Sequence, residues 1–274
     1  MSEIRFWGVR GSMPAPESHA VGVGGNTTCV GFHHDDHLLI FDAGTGIQRL
    51  AKFLAEERPS TADRRLFLSH YHWDHIWGLP FHTLALSAST PLQIYGEDKG
   101  GVGVKEILGR QMKAPIFPIP IDAVGRKVSF NSIGPDTRIE VLPDLSVTTS
   151  ALNHPNGAIG YRVEAPGGSL CIITDHEHPE QDLQESVIAF AQGASVLVHD
   201  AQYAPAEKKS DKAGWGHSSW EEAALTAREA GVDRLYLSHH DPARTDVELA
   251  EVVRDMRQVF RETYLATEAT VLQL

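Results

Sequence analysis

The segment at residues 69–80, SHYHWDHIWGLP, places three histidines and an aspartate within six residues. It continues an apolar stretch that is typical of a strand with both faces covered. If the segment stays extended, His70 and His72 point the same way and can bind one ion. Asp74 and His75 follow where the chain turns, so they can face a second ion. Because imidazole and carboxylate groups are common metal ligands, the segment predicts a metal centre at the end of a buried strand.

Charge and hydropathy narrow the classes of function. The chain has 274 residues and a formal net charge of −12 with histidine neutral. This acidic balance disfavours non-specific nucleic-acid binding but allows a small anionic substrate at a metal site. We found no apolar run as long as a membrane span and no signal-peptide pattern, so we expect a cytoplasmic protein without membrane contact. Cys29 and Cys171 lie in strand-like apolar settings, and we expect reduced thiols in the core.

Both parts of the chain show strand patterns followed by helical patterns. Strands are predicted at 4–9, 27–32, 37–42, 64–70, 138–142, 145–151, 159–164, 169–174, 195–199 and 233–240. Helices are predicted at 44–57, 217–231 and 245–260, with Ser218 and Thr245 as N-caps of the last two. This pattern favours one domain over residues 1–274, in which helices cover two sheets.

Residues 95–122 differ in composition from the rest of the chain. They contain a glycine-rich stretch, a short helical pattern and an apolar run interrupted by prolines. We interpret them as an inserted loop segment. The segment can be a long surface connection, or it can be a lid or the contact between the subunits of a homodimer, since long loops often carry function.

The pattern His-x-His-x-Asp-His at residues 70–75 resembles the signature of the metallo-β-lactamase superfamily. Further matches occur in the order that this family shows, and they are Asp42 in IFDAGTG, His154 in ALNHPNGAIGYRV, Asp175 in CIITDHEH and His239 in LYLSHHDP. The resemblance covers nearly the whole chain. It implies an α+β or α/β fold, the four-layer αββα sandwich, and an enzyme of the hydrolase class.

The resemblance also implies a dinuclear metal centre. One ion would be bound by His70, His72 and His154, and the other by Asp74, His75 and His239. Asp175 would lie between the ions, and Asp42 would support the site. These ligands suit two divalent ions, with zinc preferred over manganese or iron. The ions could share a hydroxide that attacks the substrate.

Several other histidines leave alternatives open. His240 is next to His239, and strand alternation lets only one of them face the ions; we favour His239. His176 and His178 flank the predicted bridging aspartate and can either support the site or lie at the surface. We interpret FHHDDHLL at 32–39 as a solvated hairpin turn.

Two later stretches indicate the type of hydrolase. VLVHDAQY at 196–203 and GWGHSSW at 214–220 resemble paired motifs of transfer-RNA 3′-processing endonucleases and related phosphodiesterases. The resemblance implies that Asp200 orients His217, which donates a proton to the leaving alkoxide. The alternative is that His217 only precedes a helix and Asp200 only caps a strand. Ser219 stands where that family usually has threonine.

The segment at residues 10–30 resembles the opening of small bacterial phosphodiesterases of the same superfamily. Its Gly-Gly-Asn-Thr stretch at 24–27 can present N–H groups and hydroxyls to an anion, or it can form a turn. We therefore predict a metal-dependent phosphodiesterase that hydrolyses a small nucleotide-like or cyclic phosphodiester, such as a 3′,5′-cyclic nucleotide. The alternatives are a transfer-RNA 3′-processing endoribonuclease, which would need a basic protruding arm, and a lactonase or β-lactamase-type hydrolase.

Overall fold

Two seven-stranded β-sheets form the centre of the structure. The computed structural model describes residues 2–58, 63–81, 90–124, 127–179, 183–210 and 212–274. Its strands are β1 (Ser2–Gly8), β2 (Cys29–His34), β3 (His37–Phe41), β4 (Asp63–Phe67), β5 (Leu92–Glu97), β6 (Val128–Ile133), β7 (Arg138–Leu142), β8 (Leu145–Leu152), β9 (Ala158–Ala165), β10 (Gly168–Ile173), β11 (Val196–Asp200), β12 (Leu235–Ser238), β13 (Thr263–Leu265) and β14 (Val271–Gln273). Its helices include α1 (Ile47–Glu56), α2 (Trp73–Ile76), α3 (Val104–Gln111), α4 (Glu185–Ala191), α5 (Pro205–Lys209), α6 (Trp220–Ala230), α7 (Asp246–Met256) and a 3-10 helix at Ile121–Val124.

The two sheets have the same type of topology. The first has the strand order β14-β1-β2-β3-β4-β5-β6, and the second has the order β13-β12-β11-β10-β9-β8-β7. In each sheet the strands at one end pair in antiparallel fashion, and those from β3 to β6 or from β10 to β13 are parallel. Parallel neighbours need crossover connections, which here carry helices. The carboxyl ends of the parallel strands therefore lie together at one edge of each sheet.

The sheets pack face to face on an apolar core. Leu39 and Phe41 of β3 face this core. Phe41 stacks on Phe67 of β4 at a centroid distance of 5.5 Å, and both rings contact Tyr161 of β9. The Tyr161 hydroxyl donates a hydrogen bond of 2.6 Å to the Leu68 carbonyl, so its polar atom is paired inside the core.

Helices cover the outer face of each sheet. Leu38 and Ile40, which alternate with the inward residues of β3, belong to a second apolar cluster that includes Leu50 and Phe53 of α1. On the second sheet, helix α6 packs through its small residues Ala223, Ala224 and Ala227. These layers confirm the predicted αββα sandwich. None of the described helices is long and apolar enough to cross a membrane.

The predicted helix N-cap of α6 is wrong by one residue. Ser219 caps this helix instead of Ser218. Ser218 is engaged elsewhere, because its N–H donates to the Asp200 carboxylate and its hydroxyl donates to the His176 carbonyl. The predicted cap of α7, Thr245, is confirmed.

The predicted hairpin between β2 and β3 is present, but its histidines are not all solvated. His33 is 2% exposed and His34 is 5% exposed. The His34 Nδ1 atom lies 2.9 Å from Ser2 Oγ, and the His33 ring meets the edge of Phe53. The interpretation as a solvated turn is confirmed for Asp35 and Asp36, which are exposed. It is wrong for His33 and His34, because β2 is an interior strand and the His33 ring packs against Phe53 of α1.

Residues 95–122 are anchored to the first sheet. The predicted short helical pattern is α3, whose Val104 and Leu108 are buried in the outer core. Cys29 and Cys171 are free and buried in different apolar clusters, as expected. Burial raises the pKa of both thiols, which makes them unreactive.

The burial of His33 predicts an acid-sensitive fold. Burial lowers the pKa of His33 from 6.5 to about 4. The unfolded chain therefore binds this proton more readily, and acid favours unfolding. Neutral His33 thus contributes about 3 kcal/mol to the free energy of unfolding near neutral pH. This contribution is lost as the pH falls from about 6.5 towards 4.

Urea unfolding of wild type and His33→Gln at several pH values measures this effect. We expect a shallower loss of stability with acid in the variant over that pH window. The same change at the exposed His19 is the matched control. Parallel pH profiles for wild type and His33→Gln would contradict the assignment.

Candidate metal centre

The predicted ligands come from strand ends that meet at one edge of both sheets. On the first sheet, Asp42 follows β3 and the segment that starts at His70 follows β4. On the second sheet the residues at or just after strand ends are His154 (β8), Asp175 (β10), Asp200 (β11) and His239 (β12). The fold therefore brings together residues that are far apart in sequence.

The first group of ligands surrounds one oxygen of Asp175. Nitrogen or oxygen atoms of His70, His72, His154 and Asp175 lie within 4.8 Å of one another. Asp175 Oδ2 is 3.3 Å from His70 Nε2 and 3.6 Å from His154 Nε2. His154 Nε2 is 3.0 Å from His72 Nδ1. His70 Nε2 is buried without a hydrogen-bond partner, as expected for an atom that binds an ion.

The second group shares the same aspartate. It consists of Asp74, His75, Asp175 and His239, and it meets the same 4.8 Å limit. His239 Nε2 is 3.1 Å from Asp175 Oδ1 and 3.2 Å from Asp74 Oδ2. His75 Nε2 is 3.2 Å from Asp175 Oδ2. Asp175 thus has oxygen atoms in contact with both groups, which is the arrangement that a bridging ligand requires.

Charge and burial make these residues a suitable cation site. Burial alone would raise the pKa of Asp175, but His239 and His75 outweigh it and hold that pKa well below its usual range. The pKa of Asp74 is lowered in the same way, against its burial, by His75 and His239. Burial lowers the pKa of His70 and keeps that imidazole neutral. Against the effect of burial, Asp175 and Asp74 in turn raise the pKa of His75 and, to about 9, that of His239. A bound cation would take the place of these protons between the ionised carboxylates.

Hydrogen bonds fix the orientation of several of these ligands. Asp42 Oδ2 lies 2.8 Å from His75 Nδ1, and the same carboxylate accepts hydrogen bonds from the N–H and hydroxyl of Ser69. His154 Nδ1 donates to the Gly216 carbonyl at 2.8 Å. Because Nδ1 of His75 and Nδ1 of His154 are engaged in these hydrogen bonds, the Nε2 atom of each of the two rings faces the site. Asp42 therefore has the supporting position that the sequence predicted.

The backbone of the site is strained. Asp42, Asp175 and His239 have left-handed backbone conformations, with φ of 63°, 53° and 57°. Such conformations are uncommon for residues with a side chain, and they occur often at functional sites. Gly216 is required where it is, because its φ is 89° and an added Cβ would collide with the His154 ring.

His217 and Asp200 form a pair beside the second group. His217 Nδ1 is 2.9 Å from Asp200 Oδ2. Asp200 is fully buried and also accepts hydrogen bonds from the N–H groups of His176, Gln202 and Ser218. Burial would raise the pKa of Asp200, but His217 outweighs it and lowers that pKa. Asp200, His217, Asp175 and His239 could also hold an ion, but the Asp200 oxygens are already occupied by these donors.

The open alternatives for the other histidines are resolved by position. His239 lies in the second group, whereas His240 is turned away and its Nε2 contacts the Ala266 carbonyl. His176 and His178 are buried, so the surface alternative is wrong. Both follow β10: the His176 N–H donates to the Asp200 carboxylate, and the His178 ring stacks on His199 of β11.

The segment at 10–30 is structural in most of its length. The guanidinium of Arg10 is buried and donates to the carbonyls of Gly24, Ala20, Arg244 and Asp241. Asn26 donates to the Glu268 carboxylate and Thr27 exchanges hydrogen bonds with Thr45, so these donors of the Gly-Gly-Asn-Thr stretch are used within the chain. The exception is Ser12, whose N–H donates to Asp74 Oδ2 at 2.7 Å.

Ser12, Gln202 and Ser69 support the site but were not assigned a role from the sequence. Gln202 Nε2 donates to Ser12 Oγ at 2.9 Å. The only sequence signal of Ser12 is its place in the segment that resembles the opening of small phosphodiesterases, and that of Gln202 is its place two residues after Asp200. The cavity at the site has a volume of about 400 Å³ and is lined by Ser12, Tyr71, His72, Trp73, Asp74, Asp175 and His217.

Comparison with known proteins gives consistent results. The family model described as "Beta-lactamase superfamily domain" matches residues 37–240. The chain is 24% identical to ribonuclease Z of Thermoplasma volcanium, over 97% of this chain and 95% of that protein. It is 26% identical to ribonuclease BN of Escherichia coli (strain K12), over 86% of this chain and 89% of that protein.

Solved structures with the same fold cover almost the whole chain. The metallo-β-lactamase fold protein YhfI of Bacillus subtilis has a TM-score of 0.74 at 20% identity, covering 99% of this chain and 98% of its own. The short form of human tRNase Z has a TM-score of 0.69 at 21% identity, with the same coverage. A diphosphatase from the PhnP family has a TM-score of 0.71 at 17% identity, covering 100% and 98%.

The shared position of Asp175 predicts how variants lose metal. Asp175→Asn should lower the occupancy of both ions, because it weakens a ligand of both groups. His239→Gln should chiefly lower the occupancy of the ion in the second group. Metal-to-protein ratios after dialysis measure both effects, and His240→Gln is the matched control that keeps both ions. Full dinuclear occupancy in Asp175→Asn would contradict the bridging position.

Proposed function

This chain belongs to the β-lactamase superfamily and is a metal-dependent hydrolase, and from this premise we propose that its substrate is a small phosphodiester. The observation that carries the proposal is the Asp200–His217 pair at the edge of the candidate metal centre. His217 lines the same cavity as His72, Asp74 and Asp175. An acid at this position can act on a group bound among the metal ligands.

We propose that two ions are bound by the two groups that share Asp175. When bound, divalent ions would neutralise the phosphoryl oxygens and make a water molecule acidic enough to attack at neutral pH. Zinc is the proposed metal, with manganese or iron as alternatives. The protein itself supplies the fixed ligand geometry through Asp42, Ser69 and the Gly216 carbonyl.

His217 would act as the general acid. Its Nδ1–H is donated to Asp200, which leaves Nε2 to donate a proton to the leaving oxygen. Asp200 cannot turn away, because three backbone N–H groups also hold it. A ribose oxygen leaves poorly as an alkoxide, so proton donation at this position lowers the barrier of diester cleavage.

The surroundings of the site favour a small anionic substrate. A second cavity of about 230 Å³ adjoins the first and shares Tyr71 and His72 with it. Lys99 and Arg110 line this second cavity, where they are paired with Glu97 and Glu106 and could exchange these partners for an anionic substrate group. Both cations belong to the 95–122 segment, so part of that segment forms a wall of the substrate site. A cyclic nucleotide is one diester of suitable size and charge.

Transfer-RNA 3′-processing is the second candidate. It is favoured by the curated relatives named ribonuclease Z and ribonuclease BN, which align with most of the chain. A small substrate is preferred because the chain carries a net charge of −12, whereas an RNA-binding surface needs positive charge, and because helix α3 packs on the first sheet through Val104 and Leu108. The homodimer and the cytoplasmic location stay predictions.

The general-acid role predicts a dependence on the leaving group. His217→Ala should slow the hydrolysis of a dinucleotide, whose leaving group is an alkoxide, by about 10²- to 10⁴-fold. The variant should lose much less activity on bis(p-nitrophenyl) phosphate, because p-nitrophenolate leaves without protonation. Metal content should stay unchanged. Asp200→Asn should show the same selectivity, since it removes the charge that holds the imidazole.

Steady-state kinetics on the two diesters, a lactone and a transfer-RNA precursor test the proposal. Equal losses on both diesters would contradict the acid role of His217. Hydrolysis of the lactone alone, unaffected by His217→Ala, would move the function to carboxyl-ester chemistry. Preferred cleavage of the transfer-RNA precursor at its 3′ end would favour the second candidate.

A further inference from the structure

We propose that a pair of tryptophans at the rim of the metal centre, Trp73 and Trp77, binds the nucleobase of the substrate by stacking. This inference rests on the proposed phosphodiesterase function and specifies its substrate class. The substrate would be a nucleotide diester, recognised through its base as well as its phosphate.

Trp73 is held at the metal centre by the chain itself. It lies between His72 and Asp74, and its ring lines the same cavity as these two residues. Trp77 follows one helical turn later, and its N–H donates to the Trp73 carbonyl at 2.7 Å. The two rings stack, with centroids 6.0 Å apart and planes inclined by 28°.

Both rings are unusually open to solvent. Trp73 is 69% exposed and Trp77 is 38% exposed. Tryptophan is usually well buried, because its large apolar surface is costly to keep in water. Ile76 and His75, on the same short helix, are buried and fix its orientation. The helix that carries the rings is therefore held in place at the metal centre, which limits the positions that a stacking platform can take.

A further cavity lies beside Trp77 and has none of the metal ligands in its lining. It has a volume of about 470 Å³ and is lined by Pro14, Thr45, Gln48, Trp77, Gly78 and Phe81. The N-terminal loop borders both cavities, through Ser12 at the metal centre and Pro14 here. One ligand can therefore extend from one cavity to the other, with its phosphate among the metal ligands.

The side chains that line this cavity are chemically complementary to a flat ring with polar atoms at its edge. Trp77 and Phe81 offer aromatic surface, and Phe81 is 68% exposed. Gln48 offers an amide that can donate and accept hydrogen bonds, and Thr45 offers a hydroxyl. Aromatic side chains that stack on a base, together with an amide at its edge, are the usual elements of nucleobase recognition.

Two substrates that differ only in the base-bearing group separate this inference from the proposed function. Thymidine 5′-(p-nitrophenyl phosphate) and methyl p-nitrophenyl phosphate have the same leaving group and the same charge. Trp73→Ala and Trp77→Ala should each lower kcat/KM for the thymidine ester by roughly tenfold to a hundredfold, mostly through KM. Activity on the methyl ester should stay within about twofold of wild type. Trp73→Phe should restore much of the preference.

Trp215→Ala is the matched control. Trp215 is also exposed, at 55%, but Lys212 Nζ already lies 4.0 Å from its ring centroid. This variant should keep the preference for the thymidine ester. Equal losses on both esters in Trp73→Ala and Trp77→Ala would overturn the stacking platform while leaving the phosphodiesterase proposal intact.

Binding gives a readout that does not depend on turnover. Thymidine 5′-monophosphate should quench tryptophan fluorescence saturably in wild type and in Trp215→Ala, and ribose 5-phosphate should not. Loss of this quenching in Trp73→Ala would support the platform even if neither diester is hydrolysed. Unchanged quenching in that variant would overturn it. A change of sedimentation mass in Trp73→Ala, with quenching absent from wild type, would assign the surface to a subunit contact instead.

Discussion

A single buried carboxylate, that of Asp175, connects the two halves of the candidate metal centre. It is 1% exposed and has imidazole nitrogens of both ligand groups within 3.6 Å. A buried charge without compensation is strongly unfavourable, so this position requires positive charge on both sides of the aspartate. Divalent ions bound by the two proposed groups would provide that charge.

The arrangement of the two sheets follows from the same requirement. His70, His72, Asp74 and His75 come from the first sheet's edge, whereas His154, Asp175 and His239 come from the second. Neither sheet alone contains a complete ligand group. The apolar core between the sheets, with Phe41, Phe67 and Tyr161 near the site, keeps the two edges in register. Packing of the core and geometry of the site are therefore coupled.

Most of the ligand set could be predicted from the sequence, because polar residues that follow buried strands can only lie at the edge where those strands end. The alternation of the β4 extension indicated that His70 and His72 share an ion, and the resemblance supplied the order of the distant ligands. The exposure of single residues at and beyond strand ends could not be predicted in the same way. His33 and His176 are buried through contacts with elements distant in sequence, and local patterns contain no record of such contacts.

The N-terminal segment shows the same limit. Its glycines and threonines were equally compatible with an anion site and with a turn, since both need the same backbone freedom. Two sets of contacts decide between these alternatives. The guanidinium of Arg10 donates hydrogen bonds to four carbonyls of the chain, and Glu268 accepts a hydrogen bond from the Asn26 side chain. Ser12 reaches the site only because Asp74 and Gln202 hold it there.

The aromatic rim adds a reason for the identity of a residue inside the metal-binding pattern itself. Trp73 occupies a variable position of His-x-His-x-Asp-His, where the metal ligands impose no side chain. An exposed ring at that position gives the site a surface for a flat substrate group next to the reacting phosphate. The pattern thus combines ion binding with a candidate determinant of specificity.

Anomalous scattering from crystals grown with zinc tests the central claim most directly. The account predicts two peaks, one among His70, His72, His154 and Asp175 and the other among Asp74, His75, Asp175 and His239. A single peak would contradict the dinuclear centre. A peak between Asp200 and His217 would make that pair a metal ligand and remove the general acid from the proposed mechanism.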